Sequence, residues 1–317
     1  MKLSKIYELV VKEGIAADPR GRELVTKDLA RAKKEYDELK EKDKEIFDKE
    51  RLVNPYADSR LLNGDPALDV KTILLGIDIE IGEILLADRL RQLNKKIDLV
   101  ISHHPEGYAR ANFYNVMNMQ VDIFSKIGIP ITVAEGLLKE RMKEVERKVS
   151  PLNHSRAVDA AKLLNIAFMC VHTPADNHVA TYLQKLIDDK KPQDVGEILE
   201  VLRDIPEYRE AIKLNAGPRI LIGDPKNRAG RIFVDMTGGT EGPKEIFDRL
   251  EQVGVGTVVA MHLSEEHFKN VQKEHINVVV AGHISSDSLG LNLFLDKLEK
   301  EDKLELITCS GFKRIKR

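Results

Sequence analysis

Short apolar runs alternate with longer amphipathic stretches over most of the chain. The runs are rich in valine and isoleucine, which is typical of buried strands, and the stretches between them repeat apolar residues at helical spacing. This alternation predicts an α/β fold with largely parallel sheets covered by helices on both faces. The predicted strands are Lys71–Ile79, Asp98–Ser102, Ile129–Ala134, Ile166–Val171, Arg219–Ile222, Arg231–Asp235, Gly256–Met261, Ile276–Ala281 and Leu304–Cys309.

The same pattern divides the chain into three regions. Residues 1–52 form a charged helical extension, residues 53–190 a first α/β unit that begins with a loop over 54–66, and residues 191–317 a second unit. We expect the two units to be related and to interleave around one site. Apolar residues of the extension fall on one narrow stripe, typical of a helix that lies on its own domain or packs against another subunit. The stripe consists of Leu29, Ala32, Tyr36, Leu39 and Ile46.

Composition and charge argue against several classes of protein. The 317 residues are 42% hydrophobic and 32% charged, as in soluble globular proteins, and the net charge of -2 gives no bulk attraction to nucleic acid or anionic membrane. No apolar run approaches the about 20 residues of a membrane span. Cys170 and Cys309 are the only cysteines, which favours a reducing, cytoplasmic compartment. The basic tail Lys313–Arg317 is predicted to be a solvated end.

Five of the nine histidines lie at or just beyond the end of a strand-like run. Parallel strands bring their carboxyl ends to one edge of a sheet, so we expect these side chains to converge there. In Asp98–Pro105 a strand leads directly into two adjacent histidines, which can face two neighbouring metal ions. The alternative for that pair is an ordinary turn in which one histidine caps a helix. The five residues are His103, His104, His172, His262 and His283.

Two of these histidines precede an aspartate by four residues. His172 is followed by Asp176, and a carboxylate between two cations can bridge them. His283 is followed by Asp287, a spacing that puts two ligands on one side of a helical turn. In the alternative interpretation each aspartate merely caps or complements the start of a helix.

The stretch Val234–Lys244 combines a strand, a glycine-rich turn and a helix that we expect to begin at Pro243. Free N–H groups at such a helix start can bind an anion. The stretch matches neither a Walker A sequence nor a GxGxxG motif, so a simple tight turn is the favoured interpretation.

Taken in order, the motifs resemble those of the NIF-three-like family, whose members are also known as GTP cyclohydrolase I type 2 homologues. The resemblance covers about Lys71 to Gly311. It implies an α/β protein of two related subunits that assembles into a homo-oligomer, commonly a hexameric ring, with two divalent metal ions in a cavity facing the interior of the ring.

Carried over by motif, the resemblance implies metal ligation by His103, His104, Asp176, His283 and Asp287. The family typically has Glu where this chain has the shorter Asp287, which leaves open whether this residue bridges both ions. The His-Thr motif implies that His172 lies near the metals as a base or as a supporting group, and Glu106 is a weaker candidate for proton transfer. Zn, Mn, Fe, Co and Ni all suit such ligands.

These expectations lead to a dinuclear metal-dependent hydrolase, cyclohydrolase-like or phosphoesterase-like, that attacks a small molecule with metal-activated water. The sequence shows no base-recognition signature for GTP, so the substrate is left open, with a phosphoester and a cyclic amide equally compatible. The alternative is a non-catalytic metal-binding or scaffold protein of the same family, which would have a closed metal site. A ring that docks nucleic acid is least favoured because the chain is nearly neutral.

Overall fold

The computed structural model describes residues 1–317 and contains two β-sheets surrounded by helices. The predicted α/β class with mainly parallel strands is confirmed, and one edge strand of each sheet is antiparallel. The strands are β1 (Leu61–Asn63), β2 (Thr72–Gly76), β3 (Leu99–Ser102), β4 (Ala167–Cys170), β5 (Arg219–Ile222), β6 (Arg231–Asp235), β7 (Val255–Ala260), β8 (Asn277–Val280) and β9 (Glu305–Thr308).

The helices occupy the faces and ends of these sheets, and two short 3-10 helices cover Lys49–Leu52 and Phe113–Asn118. None of the helices is both long and apolar enough to cross a bilayer. They are α1 (Leu3–Ala16), α2 (Arg22–Glu38), α3 (Glu41–Lys44), α4 (Ile81–Gln92), α5 (Gly107–Ala111), α6 (Met119–Lys126), α7 (Ile131–Val149), α8 (Arg156–Leu163), α9 (Thr173–Lys190), α10 (Val195–Arg203), α11 (Pro206–Lys213), α12 (Ile246–Gln252), α13 (Glu265–Lys273) and α14 (His283–Glu301).

The first sheet has the strand order β1-β4-β3-β2-β9, and the second has the order β5-β8-β7-β6. Strand β9, the last of the chain, pairs in parallel with β2, so both ends of the chain contribute to the first sheet. Every side chain of the central strands β2 and β3 is buried. Because successive side chains of a strand point to opposite sides, both faces of the sheet are covered there. Ile73 and Leu75 pack with Phe294 of α14, whereas Leu74 packs with Ile84 of α4.

Helices α9 and α14 approach each other closely where the first turn of α9 meets Gly290 of α14. At Gly290 of α14, an added Cβ would lie 2.3 Å from the carbonyl oxygen of Ala175 on α9, so a larger residue would force the helices apart. The absence of a side chain at this position lets Asp176 of α9 and Asp287 of α14 face the same space between the sheets.

Three local predictions are wrong. Residues 129–134 are not a strand, because Pro130 precedes α7 and the β-branched run after it forms the first turn of a 19-residue helix. The predicted loop over 54–66 contains β1, in which Leu61 pairs with Met169. The helix after the Gly-Gly turn begins at Ile246 rather than at Pro243.

The N-terminal extension packs on its own chain. Leu3 and Ile6 of α1 are fully buried in the core of the first sheet. The predicted single stripe is interrupted, because α2 ends before Leu39 and Ile46 is 85% exposed. The C-terminal tail is not a solvated end, since Arg314 donates to Asp296 and Glu299 of α14 at 2.6 and 3.0 Å.

Candidate metal centre

The carboxyl ends of the two sheets face each other, and this brings the strand-end histidines together. His103 and His104 follow β3 of the first sheet, whereas His283 follows β8 of the second. The ring centroids of His104 and His283 are 5.2 Å apart. His172, after β4, lies 4.9 Å from His103 by the same measure, and His262, after β7, lies 4.8 Å from His283.

Two aspartates lie among these rings. The Nε2 atom of His103 is 3.4 Å from Asp176 Oδ1 and 3.4 Å from Asp287 Oδ1. The other oxygen of Asp287, Oδ2, is 3.5 Å from His104 Nε2 and 3.6 Å from His283 Nε2. The two oxygens of Asp287 therefore face different histidines.

Six residues supply ligand atoms that form three overlapping groups, each with its atoms within 4.8 Å of one another. One group contains three histidines, and each of the other two contains Asp287. We call these six residues the His/Asp cluster: His103, His104, His172, Asp176, His283 and Asp287. The structure thus brings all five of the metal ligands named from the motifs together with His172.

The His/Asp cluster has the donor set and the unmet bonding capacity of a metal site. His103 Nε2, Asp176 Oδ1 and both Asp287 oxygens are buried without a hydrogen-bond partner. Leaving such groups unpaired is costly, and separations near 3.4 Å are long for direct hydrogen bonds. A cation ligated at about 2.0–2.2 Å by imidazole nitrogen and carboxylate oxygen would satisfy them together.

The charges of the His/Asp cluster are strongly coupled. Burial opposes ionisation of Asp287, but the adjacent His103 and His104 prevail and hold the pKa of this carboxyl far below its usual range. Burial likewise opposes protonation of His103, yet Asp287 and Asp176 raise its pKa well above the ordinary value. The space between these side chains therefore favours positive charge.

Contacts at Nδ1 orient the rings of His103 and His104 so that their Nε2 atoms point towards the centre of the His/Asp cluster. His103 Nδ1 is 2.9 Å from the carbonyl oxygen of Val171, and His104 Nδ1 is 2.6 Å from Asp78 Oδ1. Because a carbonyl oxygen only accepts, His103 carries a proton on Nδ1, which leaves Nε2 as the ring nitrogen that would ligate a cation after releasing its own proton. Such outward donation commonly orients metal-binding histidines.

His172 has the most elaborate support. Its Nδ1 lies 2.8 Å from Asp58 Oδ2, and that oxygen also accepts from the Thr173 hydroxyl at 2.6 Å. Its backbone N–H donates to Ser59 Oγ at 2.9 Å. Sequence reasoning missed Asp58, which lies 114 residues away in the segment predicted to be a loop, and no spacing pattern links the two residues.

Neither aspartate of the His/Asp cluster caps a helix. The N-cap of α9 is His172 and that of α14 is Gly282, and neither helix start has a side-chain cap. In α14 the Ser286 hydroxyl donates to the Gly282 carbonyl at 2.6 Å instead. The capping alternative is therefore wrong for Asp176. The alternative for Asp287, in which Ser285 or Ser286 caps the helix and Asp287 complements its dipole, is also wrong, because neither serine is the cap and Asp287 lies beyond the first turn.

The His/Asp cluster opens onto a cavity of about 410 Å³. Glu106 lines this cavity but belongs to none of the ligand groups; it accepts from Arg110 at 3.0 Å, and burial raises its pKa. His262 also lines the cavity outside the ligand groups, with Nδ1 3.3 Å from Glu241 Oε1. The apolar part of the wall includes Phe113, Met236, Ile246 and Phe247.

The Gly-Gly turn forms another wall of the cavity. Gly238 and Gly239 have φ values of 96° and 87°, a region that favours glycine. Gln120 Nε2 donates to the carbonyls of Gly238 and Thr240 at 2.8 and 2.7 Å, and an added Cβ at Gly238 would lie 2.6 Å from Gln120 Cγ. The turn is thus a tightly held wall, as the simpler interpretation expected.

Comparison with solved structures relates the fold to a family. The chain is similar to the crystal structure of a NIF3 superfamily protein from Sphaerobacter thermophilus, with 28% identity and a TM-score of 0.70 over 81% of this chain and 92% of that one. The chain is a NIF3-like protein. This agrees with the resemblance seen in its motifs.

A second solved structure shows similarity to this NIF3-like protein in fold alone. Reduced HcgD from Methanocaldococcus jannaschii is 14% identical, with a TM-score of 0.50 over 78% of this chain and 87% of that one. No family model and no curated protein matches the sequence.

Proposed function

We propose that this NIF3-like protein is a hydrolase that binds two divalent metal ions in the His/Asp cluster and cleaves a small molecule in the adjoining cavity. The observation that carries the proposal is the position of Asp287, whose oxygens face His103 on one side and His104 and His283 on the other. A carboxylate in this position suits two cations that share it, although the side chain of Asp287 is shorter than that of the glutamate typical of the family.

The ligands divide naturally between two ions. His103, Asp176 and Asp287 would hold one ion, and His104, His283 and Asp287 the other. Bound divalent ions lower the pKa of water towards neutrality and stabilise negative charge that develops on a substrate. Zn, Mn, Fe, Co and Ni all suit this mixed imidazole and carboxylate set.

Two side chains of the cavity are suited to proton transfer. Asp58 holds His172 by Nδ1, so its Nε2 points towards Asp176 at 3.7 Å and is available to a proton or to a metal ion. Glu106 is the second candidate, because burial raises its pKa and makes it a better proton donor than an ordinary glutamate. Arg110 fixes the position of its carboxyl group.

The alternative, a non-catalytic metal-binding or scaffold protein, calls for a closed coordination shell. Here the side chains of His104 and His283 are 25% and 40% exposed, and both line the cavity. A substrate would therefore reach the side of the His/Asp cluster that these residues occupy. This access favours a catalytic site over a structural one.

Metal content per chain tests the proposal. We would purify the protein without chelator or immobilised nickel, reconstitute it with Mn or Zn, and measure bound metal by elemental analysis. We expect two equivalents in the wild type and one or none in His104→Ala. His275→Asn is the matched control, since His275 is exposed and its φ of 56° suits asparagine. If reconstituted wild type binds no metal, the hydrolase proposal is wrong, and the alternative of a non-catalytic interaction protein is favoured.

We also propose, following the family resemblance, that the chain forms a homo-oligomer, with a hexameric ring as the expected state. Exposed leucines at the ends of α4 and α8 support a contact between copies, since Leu93, directly after α4, is 57% exposed and Leu163, the last residue of α8, is 88% exposed. Light scattering gives the mass directly. A monomeric wild type, or a mass unchanged in Leu163→Lys, would rule out this face as the contact.

A further inference from the structure

The charge of the cavity wall is strongly one-sided. Its only permanent cation is Arg110, which is paired with Glu106. Seven carboxylate residues line it, which leaves six negative charges in excess of Arg110 before the histidines are counted. Nearby carboxylates raise the pKa of His262 and, against the effect of burial, that of His104, so these rings offset part of the excess in the metal-free protein, whereas two divalent cations would offset four charges. The seven residues are Asp78, Glu80, Glu106, Asp176, Asp235, Glu241 and Asp287.

Asp235 stands out among these carboxylates. It ends β6, is partly buried, and lines the cavity outside the metal-ligand groups. Burial and the nearby Glu241 raise the pKa of Asp235 to about 6, and no hydrogen bond stabilises its charged form. His262 is close enough to oppose this rise but makes no hydrogen bond with Asp235. A carboxylate at a cavity wall with no hydrogen-bond partner from its own chain is a ready acceptor for an N–H group of a bound molecule.

We infer that the cavity selects neutral or cationic amide-type molecules that donate an N–H group to Asp235, and that it discriminates against phosphoesters. This rests on the proposed hydrolase function and names the substrate class for the same site. The excess of carboxylates in the cavity wall repels a phosphate dianion. The apolar wall formed by Phe113, Ile246 and Phe247 accommodates the ring of a compact cyclic amide.

The chemistry of such a substrate is simple to balance. Hydrolysis adds one water, the carbonyl C–N bond breaks, a C–O bond forms, and the nitrogen takes a proton, so a cyclic amide gives one molecule that carries a carboxylate and an amine. The new carboxylate lies in a cavity of like charge. Repulsion by the wall then favours release of the product.

Four probes of similar shape and different charge test the inference: benzamidine, benzamide, benzoate and phenyl phosphate. Their dissociation constants would be measured by calorimetry or ligand-observed NMR with full-length protein, both Zn-loaded and metal-free. We expect benzamidine and benzamide to bind at least about tenfold more tightly than benzoate or phenyl phosphate in both states. Equal or tighter binding of either anion to the loaded protein, or no binding of benzamidine, would overturn the inference.

Variants identify the residue responsible. Asp235→Asn should weaken the binding of benzamidine at least about tenfold, because the charge is lost. The binding of benzamide should weaken less, because an acceptor oxygen remains. Glu251→Gln, which removes the same charge from an exposed position on α12, should leave all four constants unchanged. If both variants behave alike, Asp235 is not the acceptor. Metal content of the same samples reports separately on the hydrolase proposal, since metal-free protein retains Asp235.

Discussion

Asp287 Oδ2 lies 3.6 Å from His283 Nε2, one helical turn earlier on α14. Asp287 is also only 1% exposed and has no hydrogen-bond partner for either oxygen, so the pair is placed to hold a metal ion together. The close contact of α14 with α9 at Gly290 brings Asp176 to the same place. Packing between two helices, rather than any flexible loop, thus sets the spacing of these two carboxylates.

We predict that Asp287→Asn loses metal at both positions, because the amide removes the charge shared by the two ions. Loss of a residue that only supports a metal ligand typically lowers metal affinity by about 10–100-fold, and the affinity of Asp287→Asn for Zn should fall by more than this. Titration calorimetry of metal-free protein measures both stoichiometry and affinity. Glu301→Gln, at the exposed end of the same helix, is the control. Unchanged stoichiometry in Asp287→Asn would exclude a bridging role.

We predict that Asp58→Asn weakens metal binding by about 10–100-fold while the fold remains intact. Although burial opposes it, hydrogen bonds from His172 and Thr173 lower the pKa of Asp58, so the group is a carboxylate that holds His172 in one orientation. Asparagine can offer His172 either a donor or an acceptor, and loses the charge. The absorption spectrum of the Co-substituted protein reports directly on the ligand geometry.

The control for this prediction is Asp65→Asn, an exposed aspartate in the same segment whose side chain accepts from Ala67 N. Its spectrum and Zn affinity should match those of the wild type. If the role of Asp58 is purely structural, Asp58→Asn will lower the free energy of unfolding by about 1–3 kcal/mol, the cost of an unpaired buried group, but will leave the Co spectrum unchanged.

Most of the strand pattern was predictable because buried parallel strands are continuous apolar runs. The run Val278–Val280, followed by Gly282 and His283, needs no tertiary information to be recognised as a strand and its end. The run at Ile129–Ala134 has a similar composition but forms a helix start, because its apolar residues continue at helical spacing into Leu138 and bury that face of α7. Local composition alone could not separate these cases.

The candidate site was predictable only where its residues follow strands. His103 and His283 carry that signal, and their convergence follows from two sheets whose carboxyl ends face each other. Asp58 carries no comparable signal, because it reaches His172 through tertiary contact. Asp235 ends the predicted strand Arg231–Asp235, but nothing in the sequence singles it out from other acids. Their roles depend on neighbours that are remote in sequence, so a single sequence does not reveal them.

We predict that Asp235→Asn stabilises the metal-free protein at pH 7.5 by about 1–2 kcal/mol, since one pKa unit corresponds to about 1.4 kcal/mol and partial exposure reduces the effect. The pKa of Asp235 is raised to about 6 in the folded state. Between its unfolded pKa, near 4, and 6 the folded state therefore binds more protons, so stability falls as pH rises through this window.

Urea unfolding of wild type and Asp235→Asn from pH 4 to 8 checks this sign. The difference between the two proteins should be smallest near pH 4 and reach its full value above pH 6. Glu251→Gln should show no such trend, because its carboxylate is exposed. A variant less stable than wild type at pH 7.5 would mean that Asp235 has a compensating partner.

We predict that Arg317→Ala destabilises the protein by about 2–3 kcal/mol, somewhat less than a fully buried ion pair because Arg317 is partly exposed. Glu207 is only 3% exposed and accepts from Arg317 Nη1 at 2.8 Å and from Asn292 Nδ2 at 2.9 Å. Removing the cation leaves a buried carboxylate with one neutral donor. The urea midpoint at constant slope measures the loss, and Lys316→Ala, whose side chain is 69% exposed, should change it by under about 0.5 kcal/mol. If the two variants unfold at the same urea concentration, Glu207 does not depend on Arg317, and the tail behaves as the solvated end that its sequence suggests.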